Sequence, residues 1–333
     1  MSIADRIIQR ANLPAILALT LALGILTPAG NAPAGQPLPA KLGYPTVWSA
    51  AEGKYVSIDD LARELTQADI VLIGEVHDNP WHHKAQAWLL RKMARTRRPA
   101  VVLEMISAGE ADALETYLAQ PSPSARKLGE AVNWKKRGWP SWSIYEPIAE
   151  AALEHKLPLR AGDAATSDIR AVGKGGLEAL GAERQAALGL DEGLEPALQS
   201  ALLTELKDGH CNLLPETALG PMSAVQRFRD ASMAQAIVRA HGEGGVVLIA
   251  GNGHVRGDRG VAWYLRRRLP DARIVSIVLL ETDNEALGAI ETRSAPPEDT
   301  PPADFAWPLP RQAREDQCEL LRKRFAKPQK GAG

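Results

Sequence analysis

The chain has 333 residues, a formal net charge of −1 and an apolar content of 45%, which is enough apolar sequence to bury at least one sizeable core. A charge so close to neutral gives no electrostatic basis for binding nucleic acid, so we expect no nucleic-acid partner. Aromatic residues are few, but the 8 tryptophans outnumber both the tyrosines and the phenylalanines, which makes their placement informative.

The first 32 residues have the layout of a secretory signal peptide. Arg6 and Arg10 precede an apolar run at residues 13–26, and small residues follow at 29–32. Because a spanning helix needs about 20 apolar residues, a cleaved signal is favoured over an uncleaved membrane anchor, which is the alternative. No cysteine follows the run to carry a lipid. The expected location is therefore the periplasm or the cell envelope.

Export changes what the two cysteines, Cys211 and Cys318, are expected to do. In an oxidising compartment a single disulfide is the natural expectation, and two free thiols are the alternative. A thiolate metal site is disfavoured, because the sequence has no CxxC or other closely spaced pair.

Composition and periodicity divide the rest of the chain into segments. After the signal come a linker rich in Pro, Gly and Ala, an α/β domain interrupted by a helical subdomain, and a Pro-rich, basic tail. The predicted bounds are 33–47 for the linker, 48–167 and 242–293 for the two halves of the α/β domain, 168–241 for the helical subdomain, and 294–333 for the tail. Within the tail, residues 294–310 are expected to be extended on the surface.

Short apolar runs predict buried strands separated by helical patterns. The runs lie at residues 70–74, 100–103, 157–161, 246–250 and 273–280. Asn79 can cap the helix after the first strand, and Pro80 suits its first turn. Alternating strands and helices predict the α/β class: a central parallel or mixed sheet flanked by helices, with a smaller inserted helical subdomain.

Two stretches of the sequence share one plan. VLIGEVHDNP and VLIAGNGHVRGDRG each read as a strand followed by a turn that contains a histidine, and each is followed by a helix and a second strand. The two halves of the α/β domain are therefore predicted to be copies of one βαβ unit.

Polar side chains follow several of the predicted strands. Glu75 and His77 follow the first strand, Glu104 ends the next, and His254 follows the late strand. Ligands bind beyond the carboxyl ends of strands in open α/β sheets, so these residues are expected to converge. Imidazole and carboxylate together suit Zn, Fe or Mn, or a general acid/base pair. The alternative is a set of hydrogen-bonding turn residues.

A second group of candidate residues is aromatic. Trp134, Trp139, Trp142 and Tyr145 lie within twelve residues and are interleaved with the basic residues 135–137. Aromatic walls with cations at the rim suit a flat apolar macrocycle that carries acidic groups, and a tyrosinate can ligate ferric haem. Taken alone, the cluster is interpreted more simply as a packing patch.

The order of the motifs resembles that of the ChaN-like haem-binding uptake family, which is related to the Tiki and TraB group. The resemblance runs from about Trp48 to Thr282 and is carried by the segments GEVHDNPWHH, VLEM, WPSWSIYEPI, GHCNLLPE, QRFRDASMA and AGNGHVRGDRGV. It implies an α/β fold with a smaller helical subdomain and a role in haem-iron uptake or handling. Several separated motifs in one order are more specific than any one of them.

The resemblance also implies a homodimer that holds haem between its subunits, with a tyrosine as iron ligand. Tyr145 is the tyrosine that fits best, with Trp139 and Trp142 beside it. On this hypothesis the haem site is also lined by His77, His254 and the basic residues from Lys135 to Arg137. Haem is thus the expected cofactor, and an outer-membrane haem receptor or an envelope haem carrier is the expected partner.

A second hypothesis is a metal-dependent hydrolase or protease of the Tiki/TraB type. Its divalent ion, or its acid and base, would be held by Glu75, His77, Glu104 and His254, and a bound metal would lower the pKa of water to about 7. A third hypothesis is an envelope scaffold whose site binds neither ligand tightly. Some members of the family resemble lipoproteins, whereas no cysteine follows the signal in this chain.

Overall fold

The computed structural model describes residues 46–283 and 300–326, with side chains to residue 323. The predicted signal peptide at 1–32, most of the predicted linker and the start of the predicted tail lie outside the described residues. Within these described ranges, no helix has the length and apolar character needed to cross a membrane.

The sheet consists, in the described part of the chain, of strands β1 (Thr46–Ser49), β2 (Lys54–Ser57), β3 (Ile70–Ile73), β4 (Ala100–Ser107), β5 (Leu159–Asp163), β6 (Val246–Ile249), β7 (Ile274–Thr282) and β8 (Phe305–Pro310). Their order is β2-β1-β8-β7-β3-β6-β4-β5. Pairing is parallel from β8 to β5 and antiparallel at β1 and β2. The predicted mixed α/β sheet is confirmed.

The helices are α1 (Ile58–Gln67), α2 (Pro80–Met93), α3 (Ala111–Leu118), α4 (Ala125–Ala131), α5 (Trp142–Glu154), α6 (Thr166–Gly175), α7 (Ala182–Leu188), α8 (Pro196–Gly209), α9 (Glu216–Ala240), α10 (Val261–Arg268) and α11 (Gln317–Ala326). The predicted start of α2 is confirmed, because the Asn79 side chain accepts from the Trp81 backbone N–H at 2.8 Å and Pro80 opens the helix. The described chain between β5 and β6 forms helices α6 to α9 and no strand.

The sheet has a hydrophobic core on each face. Along β3, Val71 and Ile73 face the core that contains α1, α2 and α5. Ile70 and Leu72 face the opposite core, which contains α9 and α10. Successive side chains of a strand point to opposite faces, so a strand covered on both sides is apolar throughout. This is why the IVLI sequence of β3 shows no alternation.

The two predicted βαβ units interleave. The first is β3–α2–β4 and the second is β6–α10–β7, and the four strands are ordered β7-β3-β6-β4. Because β3 and β6 are parallel neighbours, the two histidine-containing turns that follow them meet at one edge of the sheet. We call this edge, where β3, β6, β4 and β5 end, the carboxyl edge.

Two predictions about the ends of the folded part are wrong. Residues 305–310 of the Pro-rich stretch do not lie on the surface, because they form the buried strand β8 and Trp307 is completely buried, whereas residues 294–299 lie outside the described residues. The prolines of β8 are tolerated because β1 pairs only with Phe305 and Ala306, which leaves one side of Pro308 and Pro310 outside the ladder. The predicted linker also ends too late, since β1 begins at Thr46.

The predicted disulfide between Cys211 and Cys318 is present, with the two Cα atoms 5.5 Å apart. It joins the turn between α8 and α9 to the beginning of α11. A covalent link over 107 residues of sequence therefore attaches the tail to the helical insert.

Candidate functional site

The predicted strand-end residues do converge at the carboxyl edge. His77 Nε2 lies 3.9 Å from Glu104 Oε1, and His254 Nε2 lies 3.4 Å from the same oxygen. The loop after β6 passes close to His77 because residue 251 is glycine: a Cβ there would lie 3.0 Å from His77 Nε2. Glu104 thus sits between the two histidines, one from each βαβ unit.

Glu75 orients the imidazole of His77. His77 Nδ1 lies 2.7 Å from Glu75 Oε1, and a carboxylate acceptor at this nitrogen requires Nδ1 to carry the proton. In the neutral ring Nε2 therefore carries the lone pair. The His77 side chain is 35% exposed while that of Glu75 is completely buried, so part of the His77 imidazole reaches the surface of the site.

Three buried groups hold Glu75 in place. The Tyr145 hydroxyl donates to Oε1 at 2.9 Å, the Gln86 amide donates to Oε2 at 2.9 Å, and His83 Nδ1 lies 3.3 Å from Oε2. Burial alone would raise the pKa of Glu75, but the positive charge of His83 and the bonds from His77 and His83 hold it below its ordinary value. Glu75 is therefore ionised in the folded protein.

Tyr145, the predicted iron ligand, faces the interior. It is 2% exposed, and its hydroxyl donates to Glu75 and to the His77 carbonyl oxygen at 3.0 Å. Its ring stacks on His83 with 4.0 Å between centroids. Burial and the neighbouring Glu75 charge raise the pKa of the phenol. In this arrangement Tyr145 supports the Glu75–His77 pair instead of presenting a phenolate to solvent.

Glu104 is neutralised by an arginine from α9. Arg229 Nη2 lies 2.6 Å from Glu104 Oε1, and its Nε donates to Asp163 Oδ2 at 2.8 Å. The backbone N–H of Gly251 donates to Glu104 Oε2 at 2.7 Å. Burial raises the pKa of Glu104, but His254 and Arg229 lower it by more. One arginine thus balances Asp163, which ends β5, and Glu104, which lies within β4 and not at its predicted end because the strand continues to Ser107.

His254 is buried, with 5% of its surface exposed. Its Nδ1 lies 2.5 Å from Asp230 Oδ1, so a carboxylate on each side stabilises the charged ring. Burial lowers the pKa of His254, but Glu104 and Asp230 raise it to about 10.

This arrangement makes stability depend on pH. The pKa of a histidine is about 6.5 in the unfolded chain, and that of His254 is about 10 in the folded protein. The charged ring therefore stabilises the fold fully below about pH 6.5, and this contribution is lost as the pH rises through about 10. We expect the free energy of unfolding, measured with urea, to fall from about pH 7 to pH 9.5 by up to about 1.4 kcal/mol per pH unit. His254→Gln should flatten this slope, and an unchanged slope in the variant would contradict the prediction.

The aromatic cluster packs against His77. Trp139 contacts His77 edge to face with 4.9 Å between ring centroids, and Trp134 contacts Trp139, Trp142 and Tyr145. Trp139 and Trp142 are half-buried. Both the packing and the surface interpretations thus describe part of the cluster: Trp134 is core, and Trp139 borders the exposed face of His77.

The remaining predicted residue, Arg137, is paired with Glu110 and is not a free cation at the rim. The neighbouring Lys135 and Lys136 are exposed. The adjacent pair His82 and His83 is fully buried, although helical geometry predicts one ring in the pocket and one in solvent. The difference arises because His82 Nδ1 accepts the Val76 backbone N–H while His83 contacts Glu75.

Sequence reasoning missed three residues that build the site: Gln86 on α2, and Arg229 and Asp230 on α9. Gln86 lies four residues after His82, and both contact the loop that carries His77. Arg229 and Asp230 lie in the segment QRFRDASMA, in which two adjacent charges within a largely buried stretch were the available signal. Buried charged residues need partners, so the pair could have been flagged as structural or functional.

The alternative metal site made of Glu75, His77, Glu104 and His254 stays a prediction. In the ranges that the structure describes, no group of three or more His, Cys, Asp or Glu side chains is arranged to hold a metal ion. Glu75 and Glu104 each accept hydrogen bonds on both carboxylate oxygens.

Comparison with protein families gives a match that covers the whole site. Residues 61–265 match the family described as haem-binding uptake, Tiki superfamily, ChaN. The match spans more than half of the chain and contains His77, Glu104, Tyr145 and His254. No curated protein sequence matches the chain.

Among solved structures, the fold is similar to that of ChaN of Campylobacter jejuni, described as binding haem cofacially, with a TM-score of 0.59 and 21% sequence identity. The similarity covers 78% of this chain and 95% of that one. Erythromycin esterase EreC matches with a TM-score of 0.40 at 16% identity, over 67% of this chain and 72% of that one. The effector HopBA1 matches with a TM-score of 0.41 at 10% identity, over 77% and 94%.

Proposed function

Because the chain belongs to the haem-binding uptake family of the Tiki superfamily that includes ChaN, we propose that it binds haem at the carboxyl edge and handles haem iron in the bacterial cell envelope. The observation that carries this proposal is the family match over residues 61–265, which includes both histidine-containing loops and the aromatic cluster. Haem would supply a ferric iron that accepts a ligand from the protein.

His77 fits the role of that ligand. Its Nδ1 is held by Glu75 at 2.7 Å, its Nε2 lies 3.9 Å from Glu104 Oε1, and the side chain is 35% exposed. A histidine that ligates iron or another metal commonly donates its second ring N–H to a carboxylate, which fixes the ring and raises its basicity. Trp139 beside the ring offers an aromatic face to a macrocycle.

Ligation by Tyr145 stays a prediction from sequence. Its hydroxyl would have to leave Glu75 and the His77 carbonyl to reach iron, and the ionised Glu75 opposes formation of the phenolate. His77 meets neither obstacle. We therefore propose His77 as the iron ligand and Tyr145 as a residue that positions it through Glu75.

Cations for the haem propionates are available next to the aromatic cluster. Lys135 and Lys136 are exposed, and neither forms an ion pair within the described residues. Arg137 is already paired with Glu110, so we propose the two lysines in its place as the partners of the acidic groups.

The envelope location and the partners are also proposals. The N-terminal sequence supports export, and the Cys211–Cys318 disulfide is consistent with an oxidising compartment. We propose an outer-membrane haem receptor or an envelope haem carrier as the exchange partner, and a homodimer as the haem-loaded state.

A ferric haem titration of the mature protein tests this function. With spectra recorded from 350 to 700 nm, we expect a Soret band that saturates at a fixed ratio of haem to protein. The same titration of His155→Ala is the control, because His155 ends α5 at the opposite edge of the sheet from His77. Absorbance that rises in proportion to added haem without saturating would overturn the proposal.

One observation favours a second function, hydrolysis without a metal. A histidine oriented by a carboxylate, with its side chain partly exposed, is also the arrangement of a general base. His77 would accept a proton from water as that water attacks an ester carbonyl. Hydrolysis of p-nitrophenyl acetate in the presence of EDTA, compared between the wild type and His77→Ala, tests this function. Equal rates in the two proteins would exclude it.

A further inference from the structure

The chain does not leave the sheet after β8. Residues 311–318, which we call the strap, cross the carboxyl edge. Arg311 N donates to the Thr282 carbonyl at 3.0 Å, and Gln312 N donates to Glu281 Oε1 at 3.0 Å. Arg314 then reaches Asp78, the residue after His77, through two hydrogen bonds at 2.9 and 2.8 Å. The strap thus contacts the loop that carries the proposed ligand.

Glu281, at the end of β7, is the centre of this contact. Its side chain is 8% exposed, and it accepts from Arg314 Nη1 at 2.6 Å and from the Asn79 amide at 2.7 Å. Asn79 is also the residue that caps α2. Three elements, namely β7, the start of α2 and the strap, therefore share one buried carboxylate.

The far end of the strap is held covalently. Cys318 is bonded to Cys211 in the turn between α8 and α9, four residues from Arg314, which corresponds to at most about 14 Å of extended chain. The same helix α8 contacts the other histidine-containing loop, because Glu205 is paired with Arg256. Both loops of the carboxyl edge are therefore linked to the helical insert, one of them through the disulfide.

Without the disulfide, the strap would be held by noncovalent contacts. Arg314, whose side chain is 23% exposed, pairs with Asp78 at the surface, where an ion pair contributes about 0–1 kcal/mol, and with the more buried Glu281. Both cysteines are half-buried, so a small dithiol can reach them. The strap is thus attached at one end by noncovalent contacts and at the other by a bond that redox conditions control.

We propose that the strap is a redox-sensitive clasp that restricts access to His77, closed while Cys211 and Cys318 are bonded and released when they are reduced. In the step, a thiolate of a dithiol reductant attacks one sulfur to give a mixed disulfide, and its second thiolate resolves it. Two electrons pass from the dithiol to the protein, which ends with two thiols while the reductant ends as a disulfide. The proposal concerns exposure of His77 and does not depend on haem binding.

Chemical modification of the full-length protein tests the clasp without any haem. Diethyl pyrocarbonate would be applied to the oxidised protein, to protein reduced and alkylated at its cysteines, and to a Cys211→Ser/Cys318→Ser variant. The rate at each histidine would be read by peptide mass spectrometry. We expect the rate at His77 to rise by up to about threefold on release, since only 35% of its side chain is exposed in the closed form.

Two other histidines serve as references. His155, 28% exposed on the side chain, should keep its rate, and the completely buried His82 should stay unmodified. An equal rise at His82 would mean general unfolding and would overturn the proposal. So would an unchanged rate at His77 in protein whose two thiols are shown to be free.

Arg314→Gln tests the other end of the strap with the disulfide intact. We expect a smaller rise at His77, because the contacts with Asp78 and Glu281 are lost while the covalent anchor remains. Arg311→Gln is the matched control: it removes an arginine from the same strap, but its partner is the exposed Asp283 instead of Asp78 in the histidine loop. A rise of equal size in both variants would overturn a specific role for the Arg314 contact.

Discussion

Replacing Arg229 with alanine should lower the free energy of unfolding by about 3–5 kcal/mol, the range for removing one partner of a buried ion pair. Arg229 has only 19% of its side chain exposed and bonds both Glu104 and Asp163, which are 0% and 7% exposed. Its removal would leave Asp163 buried without its arginine and Glu104 with His254 as its remaining cationic neighbour. The cost of desolvating them would then appear directly in the stability.

Urea unfolding at neutral pH measures this change. Arg184→Ala is the matched control, because Arg184 is also paired with an aspartate, Asp168, but 47% of its side chain is exposed. We expect that control to change the free energy of unfolding by at most about 1 kcal/mol. Equal losses in the two variants would show that the Glu104–Arg229–Asp163 cluster does not carry the stability inferred from its burial.

The placement of the site could be predicted from sequence because it depends on local signals. Apolar runs marked the parallel strands, and the polar residues directly after them had to meet at the carboxyl edge. His77, Glu104 and His254 are close together for this reason. That two residues lie close together can be predicted without knowledge of distant contacts when each follows one of two neighbouring strands.

The chemical state of the site could not be predicted, because it depends on partners far along the chain. Arg229 and Asp230 lie on α9, more than 100 residues after Glu104, and their charges decide whether Glu104 and His254 are ionised. If Arg229 and Asp230 are not considered, the sequence does not distinguish a group of His and Glu side chains free to bind a metal from a buried network whose charges are already paired.

Tyr145 and β8 show a related limit. The position of Tyr145 in an aromatic segment was visible, but not the direction in which its hydroxyl points, which depends on Glu75. The segment just before β8 has four prolines and a glutamate at residues 296–302, and this composition suggested that the whole stretch lies on the surface. The apolar residues FAWPLP that follow instead fit a strand, which is paired on both sides only at its start. In each case tertiary contacts override the local pattern.

Haem binding in His77→Ala and Tyr145→Phe should separate the two candidate ligands. We expect His77→Ala to lose the saturable Soret band, because the partly exposed imidazole at the edge is removed. Tyr145→Phe should keep a band at the wild-type position and bind haem about tenfold more weakly, which is the size of effect seen when an outer partner of a metal ligand is removed.

The physical basis of this contrast is the hydrogen bond from Tyr145 to Glu75. Phenylalanine keeps the ring contact with His83 and removes the hydroxyl that donates to Glu75 Oε1 and to the His77 carbonyl oxygen, which leaves the 2.7 Å contact of Glu75 with His77 Nδ1 in place. The ligand is then held less firmly but is still present. Loss of the band in Tyr145→Phe together with its retention in His77→Ala would instead identify Tyr145 as the ligand. Since the hydroxyl now lies inside the protein, that result would require haem binding to pull the start of α5 outward.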